Sequence, residues 1–425
     1  MAAKRGIRAY SLFIRLLRLF FGVYLKLRFN MKAENHGLVA RLRPPYLVLP
    51  NHVGYWDPFM VSIFVPQAIH WVAADANFRS RILRRLLGMV GAIPKAKAVT
   101  DFEAIRYILS VRESGGVVGV FAEGQRTWDG ITLPLLYSTA KLVRLMKAPV
   151  VTPIFLGGYF SHPRWSYKPR RGELTVRFEL ALTAEEARSL SVDQIYERLT
   201  EALAHDDYAY QSSRMIPFQG RRIAEDLEHA LFVCPGCRGI GTLGSRDSYY
   251  RCRRCGYAVE YTETGFFTSK EEPVFSTIRD WHLWQLRELP NLIDELADAY
   301  LTDGAPILED FDVDASRGYR SSRLTRLGRG TLRLLPDRLA FILNAGADAG
   351  PRASGEPGAS GGPGAEPFEI PLSEIRGLNV QLTRHLELYY GGQLYVFFPA
   401  NRKVSAYKWQ KAVEILSQRT AAKEQ

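Results

Sequence analysis

Three stretches of this chain, Tyr46-Leu47-Val48-Leu49, Val117-Val118-Gly119-Val120-Phe121 and Val150-Val151-Thr152-Pro153-Ile154-Phe155-Leu156, are almost unbroken apolar runs, and the segments 58–69 and 135–147 between them read as helices. A strand without polar alternation must be covered on both faces, which a sheet flanked by helices provides. The pattern therefore predicts an α/β domain with a mixed sheet covered by helices. Gly172–Leu180 differs, because Leu174, Val176, Phe178 and Leu180 alternate with polar residues, so an edge strand buried on one face is expected there. Residues 183–205 read as one amphipathic helix, with Ser191 or Asp193 offering a helix start inside it.

At 425 residues and 47% apolar content the chain needs two or three domains, each with its own core. Its net charge of +12 is unevenly placed: residues 1–100 hold sixteen Lys and Arg against three acids (Glu34, Asp57, Asp75). The remaining residues are close to neutral. A basic N-terminal quarter next to apolar helices suits an anionic membrane surface or phosphorylated substrates better than it suits nucleic acid. Wound at about 100° per residue, Lys4, Arg8, Ser11, Arg15, Arg18, Gly22 and Lys26 gather on one stripe. Ile7, Phe13, Ile14, Leu16, Leu17, Phe20, Phe21, Tyr24 and Leu27 fill the rest of the cylinder. Residues 1–30 are thus expected to form an interfacial amphipathic helix, the plainer reading being a helix packed on its own domain with a solvated basic stripe. Arg15, Arg18 and Lys26 interrupt the longest apolar stretch, so neither a spanning helix nor a signal peptide is expected, and the chain reads as a mature cytosolic one.

The strand ending at Leu49 runs into Pro50-Asn51-His52-Val53-Gly54-Tyr55-Trp56-Asp57-Pro58. Asp57-Pro58 fits a helix start with Asp as the N-cap, and His52 alone fits a core histidine. Together, a histidine at a strand end and an aspartate at the next helix start can meet, the carboxylate fixing the imidazole tautomer and raising its basicity. His52 and Asp57 are therefore a candidate general-base dyad.

This N-H-x-x-x-x-D run resembles the first motif of the glycerolipid acyltransferases, the group that includes 1-acylglycerol-3-phosphate acyltransferase. Gly91-Ala92-Ile93-Pro94-Lys95-Ala96-Lys97 is similar to their second motif, Phe121-Ala122-Glu123-Gly124-Gln125-Arg126-Thr127 to the third, and Val151-Thr152-Pro153-Ile154 to the fourth. The resemblance covers about residues 1–215. It implies a peripheral enzyme on the cytoplasmic side of a membrane, moving a fatty acyl group from acyl-CoA or acyl-carrier protein to a lysophospholipid hydroxyl. 1-Acylglycerol-3-phosphate, giving phosphatidic acid, is the first expected acceptor. His52 with Asp57 would take the hydroxyl proton. Arg126 suits a bidentate phosphate contact, Lys97 a point-charge contact, and the Gly124 amide a developing oxyanion. Glu123 is expected to hold Arg126 or the acceptor glycerol, or else to form a structural ion pair. Ala122, Gln125 and Lys97 depart from the commoner residues of these motifs, which bears on acceptor choice.

All four cysteines lie in Cys234-Pro-Gly-Cys237 and Cys252-Arg-Arg-Cys255, with 14 residues between the pairs. This is close to zinc-ribbon spacing, and four thiolates would close a structural Zn²⁺ site. Arg238, Arg246, Arg251, Arg253 and Arg254 make the ribbon basic, which fits nucleic acid, lipid headgroups or simple solvation. The charge excess in residues 1–100 argues against nucleic acid as the partner. Beyond the ribbon, residues 276–302 repeat at helical spacing, with Pro290 expected to kink or split the helix. From about residue 306 the pattern turns to hairpins, one containing Leu332, Leu334, Leu339, Phe341 and Leu343, another turning at Gly391-Gly392, before a last helix capped by Ser405. The pattern resembles a pleckstrin-homology-like or GRAM-like β domain, with residues 345–367 as a disordered insert. The expected layout is helix 1–30, acyltransferase domain 31–220, zinc ribbon 225–270, helical linker 271–305 and β domain 306–425. A competing reading makes the first half catalytically silent and the ribbon and β domain a lipid- or protein-binding adaptor.

Overall fold

The computed structural model describes residues 2–96, 101–344 and 368–423, and for 2–12 and 421–423 the backbone alone. Residues 345–367, read above as a disordered insert, lie outside the described residues. The chain forms two compact units. The first runs to Ile223 and takes in a return segment, Tyr261–Phe267; the second holds Ala224–Glu260 and the chain from Thr268 onward. The expected ribbon, 225–270, is thus divided.

In the first unit the strands are β1 (Met31–Glu34), β2 (Tyr46–Val48), β3 (Ile69–Ala74), β4 (Ile93–Lys95), β5 (Val117–Gly119), β6 (Val150–Leu156) and β7 (Leu174–Leu182). Its helices are α1 (Ala2–Phe29), α2 (Gly37–Arg41), α3 (Asp57–Phe64), α4 (Arg81–Met89), α5 (Phe102–Glu113), α6 (Tyr137–Met146), α7 (Gly158–Ser161), α8 (Ala184–Ser189), α9 (Val192–Leu203) and α10 (Asp207–Arg214). The sheet order is β1-β7-β6-β2-β5-β3-β4. β2 to β6 run parallel, β7 is antiparallel to β6, and β1 is parallel to β7, so the sheet is mixed. Every residue of β2, β5 and β6 is buried, as their apolar runs require. Ile108 and Val111 of α5, Ala140 and Val143 of α6, and Ile195, Leu199 and Leu203 of α9 join Leu47, Val118, Val150 and Ile154 in one core.

Three expectations are corrected here. β7 is not the edge strand, because the four-residue β1 pairs outside it. The helix expected over 183–205 is two helices, since Thr183 and Ser191 each build a capping box that satisfies the amides of a new first turn. Asp57 is the first residue of α3 and not its side-chain cap, because its carboxylate turns back to the preceding loop.

The N-terminal helix turns part of its basic stripe inward. Gly22, Leu25 and Phe29 are buried, with Gly22 set against Ile63 of α3. Arg18 donates to the carbonyls of Pro66 (2.7 Å) and Gln67 (2.5 Å), and Arg28 to that of Pro169 (2.7 Å). Leu16, Leu19, Phe20, Val23, Tyr24 and Leu27, with Arg15 and Lys26, are the exposed side. No helix among the described residues is long and apolar enough to cross a membrane.

β8 (Leu243–Arg246), β9 (Tyr249–Cys252), β10 (Ala258–Tyr261) and β11 (Phe267–Thr268) form a small sheet in the order β11-β10-β9-β8, with β8 and β9 wholly in the second unit. α11 (Ile278–Asp303) follows, and Trp281 Nε1 donates to Val233 O at 2.9 Å while Gln285 bonds the backbone of Ala230, Phe232 and Val233. α11 is continuous through Pro290, so the helix is not split there. The proline removes one amide donor, but Leu289, Leu292 and Ile293 around it are buried and hold both turns in register. Seven strands complete the unit: β12 (Leu308–Gly318), β13 (Thr325–Leu334), β14 (Arg338–Leu343), β15 (Phe368–Pro371), β16 (Arg376–Gln381), β17 (His385–Tyr390) and β18 (Gln393–Pro399). They form an antiparallel sheet ordered β15-β14-β13-β12-β18-β17-β16, followed by α12 (Ala406–Lys423). Both expected hairpins are present, and Tyr390 pairs with Gln393 across Gly391-Gly392, each glycine at positive φ. Ser405 Oγ accepts the Lys408 amide at 3.2 Å, the expected cap.

Candidate active site

β2 ends in the middle of the sheet, and the loop after it is held from both sides. Asn51 Oδ1 accepts the Phe155 amide of β6 at 2.8 Å, and the Thr127 amide donates to His52 O at 3.0 Å. His52 Nδ1 and Asp57 Oδ2 lie 2.9 Å apart. The Asp57 carboxylate is buried and also accepts the amides of Val53 (2.8 Å) and Gly54 (2.9 and 3.0 Å). A side chain at position 54 would start 3.1 Å from Asp57 Oδ1, so glycine lets the loop wrap this closely. With Nδ1–H directed at a carboxylate, Nε2 is the imidazole nitrogen that can take a proton. The ring also stacks on Phe121 (centroids 3.8 Å apart), which stacks on Trp71 of β3 (5.2 Å). On the other side, Phe21 of α1 packs against Trp56 and Phe59, tying the N-terminal helix to the loop and to α3.

The Phe121–Thr127 segment follows β5, the strand next to β2. Glu123 is buried and its two oxygens accept the amides of His52 (2.6 Å) and Leu133 (2.7 Å). It therefore clamps the histidine's own backbone. Burial pushes its carboxyl up to about 8, against the pull of the two amide donors. Gly124 has φ +71, and its amide turns back onto Phe121 O at 3.1 Å, so the donor expected at an oxyanion is engaged within the turn. Arg126 lies in the field of Asp57 and Tyr55, while burial lowers its guanidinium to about 10. Lys97 lies outside the described residues.

Two residues of the segment after α7 were not legible as site components. Arg164 is buried, lies 4.0 Å over the Trp128 ring, and donates to Arg126 O (3.0 Å) and Gln125 Oε1 (3.3 Å), gripping the Glu-Gly-Gln-Arg turn from behind. His162 has a buried Nδ1 with no partner among the described residues; burial, then Arg126, Arg170 and Arg28, bring it down to about 4. Neither belongs to a motif, and only the coordinates bring them to the loop.

The second unit holds the cysteine cluster. Its four Sγ atoms lie within 4.8 Å of one another, with Cys234–Cys255 at 3.6 Å and Cys237–Cys252 at 3.8 Å. Four sulfurs about 2.3 Å from a central ion at tetrahedral angles stand roughly 3.8 Å apart, so this donor set fits a metal. Arg238 is held by Glu288 and Glu295 of α11, as a structural arginine would be.

A histidine held by a buried carboxylate thus stands at the end of a central parallel strand, with the part-buried Arg126 in the field of the same carboxylate. Residues 32–156 match the Acyltransferase family model. A 113-residue stretch is 23% identical to the 1-acyl-sn-glycerol-3-phosphate acyltransferase of Bacillus subtilis (strain 168), covering 26% of this chain and 56% of that protein, so the chain spans little more than half of this relative. Among solved structures, the 1-acyl-sn-glycerophosphate (LPA) acyltransferase of Thermotoga maritima aligns with a TM-score of 0.38 at 14% identity, over 50% of this chain and 98% of that one. Residues 32–156 thus form an Acyltransferase-family domain, and the curated relative similar to it is a glycerolipid acyltransferase.

Proposed function

We propose that the protein is a peripheral-membrane O-acyltransferase on the cytoplasmic side of a membrane, that its acceptor is 1-acylglycerol-3-phosphate, and that its donor is acyl-CoA or acyl-carrier protein. The observation that carries this reading is the His52 Nδ1–Asp57 Oδ2 pair at 2.9 Å. His52 Nε2 takes the acceptor's hydroxyl proton as the oxygen attacks the thioester carbonyl. The tetrahedral intermediate collapses with cleavage of the C–S bond, and the imidazolium returns its proton to the leaving thiolate. Asp57 stabilises the imidazolium between the two steps, and the Arg126 guanidinium is the fork for the acceptor's phosphate. The exposed apolar side of α1 is the membrane-facing surface. The cysteine cluster takes structural zinc. The sheet after it, with its first and last strands paired and a helix at the end, is a pleckstrin-homology-like module.

The test is thiol release from acyl-CoA, then from acyl-carrier protein, with lysophosphatidate, other lysophospholipids and glycerol 3-phosphate as acceptors. Acceptor-dependent release that disappears in His52→Ala supports the reading; retained turnover in that variant overturns the dyad. Arg126→Ala should chiefly raise the acceptor KM, and an effect confined to the donor would reject its phosphate role. No release with either donor would favour the adaptor reading.

A further inference from the structure

We infer that α4 is a second membrane-contact element, which recognises anionic headgroups. The inference rests on the peripheral-membrane reading above. No residue of Arg81–Met89 is buried. Ile82 is 74% exposed, Leu86 47% and Met89 46%, and their spacing places them on one stripe of the helix. Arg81 and Arg85, also exposed, form the adjoining stripe one residue back. Leu83, Leu87 and Val90 are the partly covered positions. An aliphatic stripe beside a basic one is the division a helix needs to rest in a headgroup layer.

The surrounding sequence fixes the sign of the partner. Between Asp75 and Asp101 there is no acidic residue, whereas Arg79, Arg81, Arg84, Arg85, Lys95 and Lys97 all fall there. The exposed side of α1 is mainly Leu, Val, Phe and Tyr, with Arg15 and Lys26 exposed beside them and Arg18 and Arg28 turned onto backbone carbonyls. α1 supplies the larger apolar surface, and α4 adds a basic stripe in an acid-free stretch of the chain. An anionic bilayer is favoured over an acidic protein because Ile82, Leu86 and Met89 form an exposed apolar stripe alongside the basic one, and because α1 gives the same unit a second apolar surface.

Each arginine near an anionic surface strengthens binding roughly fivefold, so removing two should weaken it roughly 25-fold. The experiment is sedimentation of the full chain with vesicles of phosphatidylcholine, and of phosphatidylcholine mixed with phosphatidylglycerol. The proteins are wild type, Arg81→Gln/Arg85→Gln and Phe20→Ser/Leu27→Ser. The expected result is that the α4 variant loses most of the preference for the mixed vesicles and keeps the weak binding to the neutral ones, while the α1 variant loses both. An α4 variant that retains the wild-type preference overturns the inference. So does an α4 variant that binds both vesicles normally but has lost activity with acyl-carrier protein alone, which would assign the helix to an acidic protein. Acyl transfer between short-chain, water-soluble substrates should be unchanged in the α4 variant. If the wild type shows no such transfer, the acyltransferase reading fails while the vesicle comparison still decides the role of α4.

Discussion

Asp57 has three duties: it orients His52 Nδ1–H and accepts the amides of Val53 and Gly54. Asparagine would keep its shape but set an NH2 group against at least one N–H donor and remove the charge that stabilises the imidazolium. Asp57→Asn is expected to lower kcat by about 10²–10⁴-fold with little change in acceptor KM, measured with lysophosphatidate and acyl-CoA. A loss confined to KM would mean that the carboxylate serves binding. His162 makes a pH prediction. Its folded-state pKa, about 4, lies below the ordinary 6.5, so the folded protein keeps it neutral while the unfolded chain takes up a proton between these values. Its contribution is present in full above about pH 6.5, is lost as pH falls towards 4, and is constant below that, about 3 kcal/mol in all. His162→Gln should flatten that part of the stability curve, and the check is the urea midpoint of both proteins at pH 7 and pH 4.5. The same slope in both would assign the pH dependence elsewhere. The dyad was legible in the sequence because its spacing alone brings strand end and helix start together. His162 and Arg164 were not, because they reach the site through the segment after α7, whose path no local pattern encodes.

Among the elements, β5 shows how packing reaches the chemistry. A Cβ at Gly119 would lie 2.4 Å from Trp71 Cε3 and 2.7 Å from Ile69 Cγ2, in a strand buried along its whole length. Trp71 supports Phe121, which supports the His52 ring. Gly119→Ala is expected to destabilise the first unit by about 1–3 kcal/mol through overpacking, and also to lower kcat because Trp71 must move. Thermal unfolding and turnover measured together check this; a stability loss at full kcat would mean that the ring stack does not position the histidine. The strands themselves were legible because burial on both faces leaves continuous apolar runs. The orientation of α1 was not, since periodicity tells which residues share a face and not which face turns inward. Arg18 satisfying the carbonyls of Pro66 and Gln67 is what puts part of the basic stripe inside. Thr183 and Ser191 similarly decide for two helices where amphipathicity alone suggested one.

At the scale of the whole molecule, the boundary of the cysteine ribbon departs from the reading of spacing alone. Six residues beyond Cys255, the chain enters Tyr261–Phe267, which belongs to the first unit. There Tyr261 lies edge-on to Trp165 and under the Arg170 guanidinium, 5.0 Å from its ring, and the Gly265 carbonyl accepts the Tyr208 hydroxyl at 3.1 Å. The Phe218 amide donates to Glu263 O at 2.7 Å. Cysteine spacing predicted that the four sulfurs come together but gave no hint that the chain beyond the last knuckle belongs to the first unit, because that depends on where the chain goes after Cys255. A structural metal makes its binding energy part of the folding energy of the segments it joins. Removing it with a chelator from the reduced protein should therefore raise amide hydrogen exchange across Cys234–Cys255 and also across Tyr261–Phe267, with a smaller increase around Arg170 and Tyr208. Readdition of Zn²⁺ should reverse both, and Cys252→Ser should imitate the chelator. If exchange rises in the knuckles and stays unchanged in Tyr261–Phe267, the first unit holds that segment by its own packing, and the metal organises the second unit alone.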